Sequence, residues 1–241
     1  MELLEVKELT KSFGGLTAIL NLSFHVNEGE ILGLIGPNGA GKTTVFNLIS
    51  GYYRPDKGEV FFKGQNITGL KPSKICKLGL TRTFQKAQPF LHMTVMENLI
   101  VGAFNQYNQM NRAMEKAEEI IEITEMDGIK DRSGESLTLG QWKRLEIAKA
   151  LSTGPSLLLL DEVLAGLNAT EIADALQLIR KIRSRGVTIL MVEHVMQAIM
   201  ATSDRIVVLN NGEKIAEGLP QEITQDEKVI KAYLGEDFLI M

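Results

Sequence analysis

The stretch IGPNGAGKTT, residues 35–44, decides the fold of this chain. It follows an apolar β-rich run, ILGLI (31–35), and opens a helical pattern that begins at Lys42 and stops at Gly51. It fits the pattern G-x-x-x-x-G-K-[ST], with Gly36, Gly41, Lys42 and Thr43 in the fixed places. The spacing has a physical reason. Backbone N–H groups along Gly36, Asn38, Gly39, Ala40 and Gly41 must turn inward toward phosphate oxygens, while Pro37, which has no N–H, helps to shape the loop. Such a bend needs residues free of Cβ clashes. The helix opened by Lys42, Thr43 and Thr44 adds the partial positive charge of its N-terminus. Lys42 is placed for the β- and γ-phosphates, and the Thr43 hydroxyl for Mg²⁺. The competing reading is a chance glycine-rich turn, and the strand-loop-helix context argues against it.

A second stretch, LLLLDE (157–162), is an apolar strand that ends in two carboxylates. Beside a phosphate loop, Asp161 would hold Mg²⁺ through water and Glu162 would stand by the attacking water. Alone, the same residues would read as a helix cap after a buried strand. No N-K-x-D stretch occurs, which favours adenine over guanine. Three further residues are candidates with plainer alternatives. Gln85 would touch the metal or the water, or is a solvated loop residue. His194, after the strand VTILMV, would bond the γ-phosphate, or simply begins a helix. Phe13 would stack on adenine, or belongs to the core.

The bulk numbers set the bounds. The chain has 241 residues, 44% hydrophobic and 23% charged, with a formal net charge of −4. That suits a soluble globular protein and argues against a duplex nucleic-acid binder. The lone cysteine, Cys76, excludes an internal disulfide and fits a reducing compartment. No apolar run approaches the ~20 residues that span a bilayer. Work at a membrane would therefore pass through a partner.

The opening third reads as strands, broken at Gly14-Gly15 and at 27–30, with a hairpin turning near Lys63-Gly64 and another strand at 80–84. From 94 to about 127 the spacing is helical. ESLTLGQWKRLEIAKAL (135–151) reads as a helix opened by Gly140-Gln141. Trp142, Leu145, Ala148 and Leu151 form its apolar side, and Lys143, Arg144, Glu146 and Lys149 its wet side. From 155 onward strands and helices alternate, which indicates a parallel sheet, with helices over 170–185 and 194–201. A turn falls at 210–212.

With these residues in hand, the chain resembles the ATP-binding cassette ATPases of membrane transporters. The resemblance spans nearly the whole length. It rests on the P-loop, Gln85, the signature-like LTLGQ (137–141), LLLLDE, AGLN (165–168) and His194, in family order. Within the family, KSFGGLTAI, LTRTFQ, LGQWKRLEIAKAL, AGLN and VEHVM look most like the ATPases of branched-chain amino acid importers. The tail AYLGEDF is also similar to ATPases of lipopolysaccharide export.

The resemblance implies an α/β fold: a P-loop NTPase cassette with a mixed RecA-like core sheet, an N-terminal antiparallel β subdomain and a helical insertion. It implies one domain over 1–241, with core and β lobe at about 1–85 and 155–241 and the helical lobe at about 86–154. It implies ATP and Mg²⁺ as cofactors. Glu162, His194, Gln85 and Lys42 are the implied catalytic residues, with Thr43, Gln85 and Asp161 at the metal. Two cassettes, identical or related, pair head to tail. Thr138, Leu139, Gly140 and Gln141 of one then cap the γ-phosphate held by the other. Transmembrane permease subunits are the further partners and nucleic acid is not. The implied place is the cytoplasmic face of the membrane, peripherally bound. The hydrophobic loop 86–99 would receive a short helix of the permease, or would act as a lid over the helical lobe. Two departures stand out: Leu139 replaces the first glycine of the usual LSGGQ, and Val163 the usual proline after the catalytic glutamate. The function expected is ATP hydrolysis that drives branched-chain amino acid uptake. The alternatives are another cassette system, such as lipopolysaccharide export, or a soluble cassette protein without a transporter.

Overall fold

A computed structural model describes residues 1–83 and 90–234. In chain order the elements are β1 (Glu2–Phe13), β2 (Leu16–Asn27), β3 (Ile31–Ile35), α1 (Lys42–Ile49), β4 (Lys57–Phe62), β5 (Gln65–Asn66), α2 (Pro72–Leu78), β6 (Leu80–Arg82), α3 (Val95–Ala103), α4 (Met110–Thr124), α5 (Leu139–Ser152), β7 (Leu157–Asp161), α6 (Ala169–Ser184), β8 (Thr188–Val192), α7 (Met196–Thr202), β9 (Arg205–Asn210), β10 (Glu213–Gly218), α8 (Pro220–Ile223) and α9 (Glu227–Leu234). The chain divides into two compact units, residues 1–72 with 188–241, and residues 73–187.

The first unit holds an antiparallel sheet in the order β2-β1-β4-β5 and the strand order β10-β9-β3-β8. Its two tightest hairpins follow from their turn residues. Phe62 pairs with Gln65 across Lys63-Gly64, and Asn210 pairs with Glu213 across Asn211-Gly212. All four turn residues have positive φ, as two-residue turns matched to strand twist require. β3 runs parallel to both β8 and β9, and all five residues of β3 and of β8 are buried. Each such Ile or Leu contributes roughly 1.5–3 kcal/mol when fully removed from water. β10 returns antiparallel to β9 across the turn expected at 210–212, which makes the sheet mixed, as expected.

One guanidinium closes the base of this unit. Arg205 donates from Nε to Glu30 Oε1 at 2.8 Å, and from Nη2 to Glu30 Oε2 at 3.1 Å and to the His25 carbonyl at 2.7 Å. Its Nη1 also meets Glu217. Burial alone would lower the Arg205 pKa, but Glu30 and Glu217 raise it above the ordinary arginine range.

The second unit pairs β6 with β7 in parallel, Leu80 with Leu157 through Arg82 with Leu159. Thr83 extends the join, since its N–H donates to the Leu159 carbonyl at 2.9 Å and its hydroxyl accepts from Asp161 N–H at 3.0 Å. Around this pair stand α3, α4, α5 and α6. Three of these helices begin with reciprocal caps between Thr94 and Glu97, Thr138 and Gln141, and Asn168 and Glu171. In each, the cap side chain accepts from the third helical N–H while the Glu or Gln reaches back.

Several boundaries differ from the sequence expectation. α2 arises from PSKICKL, which gives no clear apolar period; its proline sits in the first turn, where a missing N–H costs nothing. α5 starts at Leu139, so Gln141 is the capping partner inside the helix and not its first residue. α7 starts at Met196, and His194 lies outside it. The wet side drawn for α5 does not hold either. Glu146 is buried, and Lys143, Arg144 and Lys149 are half-buried, because the helix is packed on more than one side. Among the described residues no helix is long and apolar enough to cross a membrane.

Candidate functional site

The P-loop lies in the first unit between β3 and α1. Gly41 holds φ 104°, and a Cβ there would fall 2.6 Å from Ile19 Cδ1 and 2.8 Å from the Ala18 carbonyl oxygen. Only glycine fits both the left-handed backbone and that close approach. Ala40 is fixed by its N–H to the Pro37 carbonyl at 3.1 Å and by its carbonyl to Gly212 N–H at 3.1 Å. Pro37, Asn38 and Gly39 protrude, with Asn38 and Gly39 exposed. Lys42 is buried, and its ammonium donates to the carbonyls of Gly36 at 2.6 Å and Pro37 at 3.0 Å. The lysine thus curls back over its own loop. Thr43 is exposed and Thr44 half-buried in the first turn of α1.

His194 and Phe13 belong to the same unit. Gly33 and Met191 are register partners of the parallel pair β3 and β8. Gly36 and His194 follow them by the same number of residues, so His194 emerges, exposed, at the sheet edge that carries the P-loop. That edge, outside the carboxyl ends of parallel strands, is where such sheets take ligands. Phe13 sits at the β1–β2 turn with its ring partly exposed, in edge contact with Tyr53 at 5.1 Å and under Lys11 Nζ at 5.4 Å from the centroid.

Asp161 and Glu162 belong to the second unit. Asp161 is fully buried, and its Oδ2 accepts from Arg82 Nη2 at 3.0 Å. Its Oδ1 is buried with no hydrogen-bond partner. Burial raises the Asp161 pKa, and Arg82 pulls the other way. A buried carboxylate oxygen without a donor is costly, and a hydrated Mg²⁺ supplies the donors it lacks. The orphaned Asp161 oxygen therefore fits a water bound to Mg²⁺. Among the described residues no group of three or more His, Cys, Asp or Glu side chains could hold an ion alone. Glu162 has φ 51°, a left-handed backbone that a non-glycine residue holds at a cost of roughly 1–3 kcal/mol. Such outliers gather at working sites. Gln85 lies outside the described residues.

The signature stretch opens α5 in this same unit. Thr138 Oγ1 accepts from Gln141 N–H at 3.3 Å, and Gln141 Oε1 accepts from Thr138 N–H at 3.0 Å. Leu139 is 52% exposed. Sequence reasoning missed two neighbours that shape the carboxylates, Arg82 and Lys143. No motif marks them, because their role rests on contacts across the unit.

Phe90, Leu91 and Met93 are all exposed. Their segment is held from beneath by Asn98, which is fully buried. Asn98 Oδ1 accepts from Phe90 N–H at 2.9 Å, and Nδ2 donates to the carbonyls of Phe90 at 3.1 Å and Thr94 at 2.9 Å. Lys149 Nζ stands 5.0 Å from the Phe90 ring centroid. A buried amide thus spends itself on presenting an apolar tip to the outside.

A glycine-bent phosphate loop and a capped glycine helix on one chain are parts of an ATP-binding cassette. Comparison with known proteins agrees: the chain belongs to the ABC transporter family, whose model matches residues 19–165. A second model, described as branched-chain amino acid ATP-binding cassette transporter, matches residues 213–239. The chain is 42% identical to the high-affinity branched-chain amino acid transport ATP-binding protein BraF of Pseudomonas aeruginosa, over 97% of this chain and 98% of that protein. It is 39% identical to LivG of Escherichia coli, of the same description, with the same coverage. Among solved structures, a nucleotide-free ATP-binding cassette from an ABC transporter superposes with TM-score 0.89 at 34% identity, over 98% of this chain and all of that one. A dimeric cassette bound to ADP and Pi matches with TM-score 0.80 at 25% identity, over 90% of this chain and 98% of that one. The α/β cassette fold and the likeness to branched-chain amino acid transport ATPases are thereby borne out.

Proposed function

We propose that this chain is the ATP-hydrolysing subunit of a membrane transporter that takes up branched-chain amino acids. The observation that supports this most is the match to BraF and LivG along almost the whole chain, joined by the separate match of residues 213–239. ATP is the substrate of the chemistry, and amino acid movement is the work it drives. Lys42 leaves the Gly36 and Pro37 carbonyls for the β- and γ-phosphates, and the loop from Gly36 to Thr44 supplies N–H donors. Phe13 offers its ring to adenine. Thr43, Asp161 and Gln85 would hold Mg²⁺, which would supply positive charge to the phosphates. Glu162 orients and deprotonates the attacking water, and His194 bonds the γ-phosphate.

Thr138, Leu139, Gly140 and Gln141 complete the pocket of a second cassette, identical or related. Phe90, Leu91 and Met93 receive a short helix of a permease subunit on the cytoplasmic face of the membrane, where the chain is peripherally bound. The chain acts as one cassette domain. The test uses the complex assembled with its membrane subunits. Glu162→Gln is expected to lower ATP turnover by roughly 100-fold or more while nucleotide still binds, and to stop uptake of labelled leucine. Unchanged turnover in that variant would remove Glu162 from the chemistry. Turnover without leucine-dependent transport would leave the ATPase and discard the substrate.

A further inference from the structure

The first turn of α5 is keyed to the segment after β7 at three points, all within the second unit. Leu139 Cδ2 lies 3.1 Å from where a Cβ on Gly166 would stand, and Gly166 has φ 81°. Gly140 faces Glu171, whose Oε1 lies 2.6 Å from where a Cβ on Gly140 would be. Glu171 cannot drift away easily, because its carboxylate accepts from Asn168 N–H at 2.9 Å and its own N–H donates to Asn168 Oδ1 at 3.0 Å. Lys143, one turn on, donates from Nζ to the carbonyl of Glu162 at 3.1 Å. That carbonyl also accepts from Ala165 N–H at 3.3 Å.

The third point matters most. Glu162 sits in a left-handed backbone, and Lys143 grips the peptide that leaves it. Where that peptide points fixes how the Glu162 side chain departs from the main chain. The Lys143 charge lies close enough to Glu146, one turn on in α5, and to Asp161, next to Glu162, to favour the ionised form of both carboxyls. Gly140 is a glycine for a reason internal to the chain as well: a side chain there would press on the Glu171 carboxylate that caps α6.

Resting on the function proposed above, we propose that Lys143 couples the two nucleotide sites of a cassette pair: when the α5 turn of one protomer meets the nucleotide of its partner, Lys143 carries that displacement to Glu162 of its own chain. Each protomer's base is then set by the site it completes opposite, and hydrolysis becomes cooperative through a contact that touches no nucleotide. Lys143 is in this sense a positioning residue. It acts on the carbonyl of Glu162, and Glu162 acts on water.

The experiment compares wild type, Lys143→Met and Lys143→Arg in the complex assembled with its membrane subunits, with turnover measured against ATP concentration. Lys143→Met is expected to lower kcat about tenfold and to bring the Hill coefficient from about 2 toward 1, with KM for ATP held within about twofold. Lys143→Arg keeps a donor and is expected to recover most of kcat and the cooperativity. Should Lys143→Met fail to assemble, Lys143→Leu serves the same comparison, again without a donor. Wild-type kcat and Hill coefficient in the Met or Leu variant overturn the inference, and so does a loss that appears only as a raised KM. A wild-type complex whose turnover does not depend on Glu162 instead defeats the proposed function, so the two failures are separable.

Discussion

Lys42 and Asp161 are both charged and buried, yet their surroundings treat the charge differently. Lys42 rests on two carbonyls of its own loop, a local arrangement made by residues a few positions away. Asp161 depends on Arg82, 79 positions away, and still leaves Oδ1 without a donor. The same holds for Glu146, whose Oε2 is buried and orphaned on α5. The contrast separates two ways of preparing a site. The Lys42 charge is satisfied by its own loop as it stands. The region of β7 and α5 carries unmet polar demand and a left-handed Glu162, and so is the less settled of the two in the free chain.

The contrast can be broken most sharply at Arg82. Arg82→Met leaves Asp161 buried without that guanidinium, and the expected loss is about 3–5 kcal/mol of unfolding free energy by urea denaturation. Adding Asp161→Asn is expected to restore most of it. An equal loss in the double variant would mean that Arg82 serves packing and not charge.

Glu146 gives the next largest effect and a pH signature. Burial pushes its carboxyl from 4.5 up to about 7, against the pull of Lys143 and Lys149. Between those values the folded chain keeps a proton that the unfolded chain has released. Stability from this group is therefore present at low pH and lost as pH rises through about 7. Glu146→Gln is expected to be more stable than wild type by about 2–3 kcal/mol at pH 8, and equal to it at about pH 4. Thermal or urea unfolding at the two pH values measures the difference. A gap that does not change with pH would show that water reaches the orphaned oxygen.

The smallest effect supplies the yardstick. Asn168→Ala removes an ordinary cap from α6, where the expected cost is about 1 kcal/mol by the same unfolding assay. A loss well above that value would show that the cap also steadies Glu171 against Gly140, as the keyed turn requires.

What could be read from sequence follows the same division. The P-loop, the buried strands and the Lys63-Gly64 and Asn211-Gly212 turns are local: residue type, spacing and backbone preference lie within a few positions. The caps at Thr94, Thr138 and Asn168 were equally readable, since each has its Glu or Gln three residues on. Glu146 was misassigned to a wet face because helical period reports one buried side, while α5 is covered on more than one. Arg82, Lys143 and Gly140's fit against Glu171 could not be read at all. Each depends on a contact between distant stretches, and charge or smallness alone does not name its partner.

The Arg205 cluster has a mechanical consequence. One planar cation pins Glu30, Glu217 and the His25 carbonyl together at the end of the strands remote from the loops. Removing that cation would strand the buried Glu30 carboxylate and loosen the seam where β2, β3, β9 and β10 begin or end, so this corner is a foundation stone of the first unit and not an ornament of its surface.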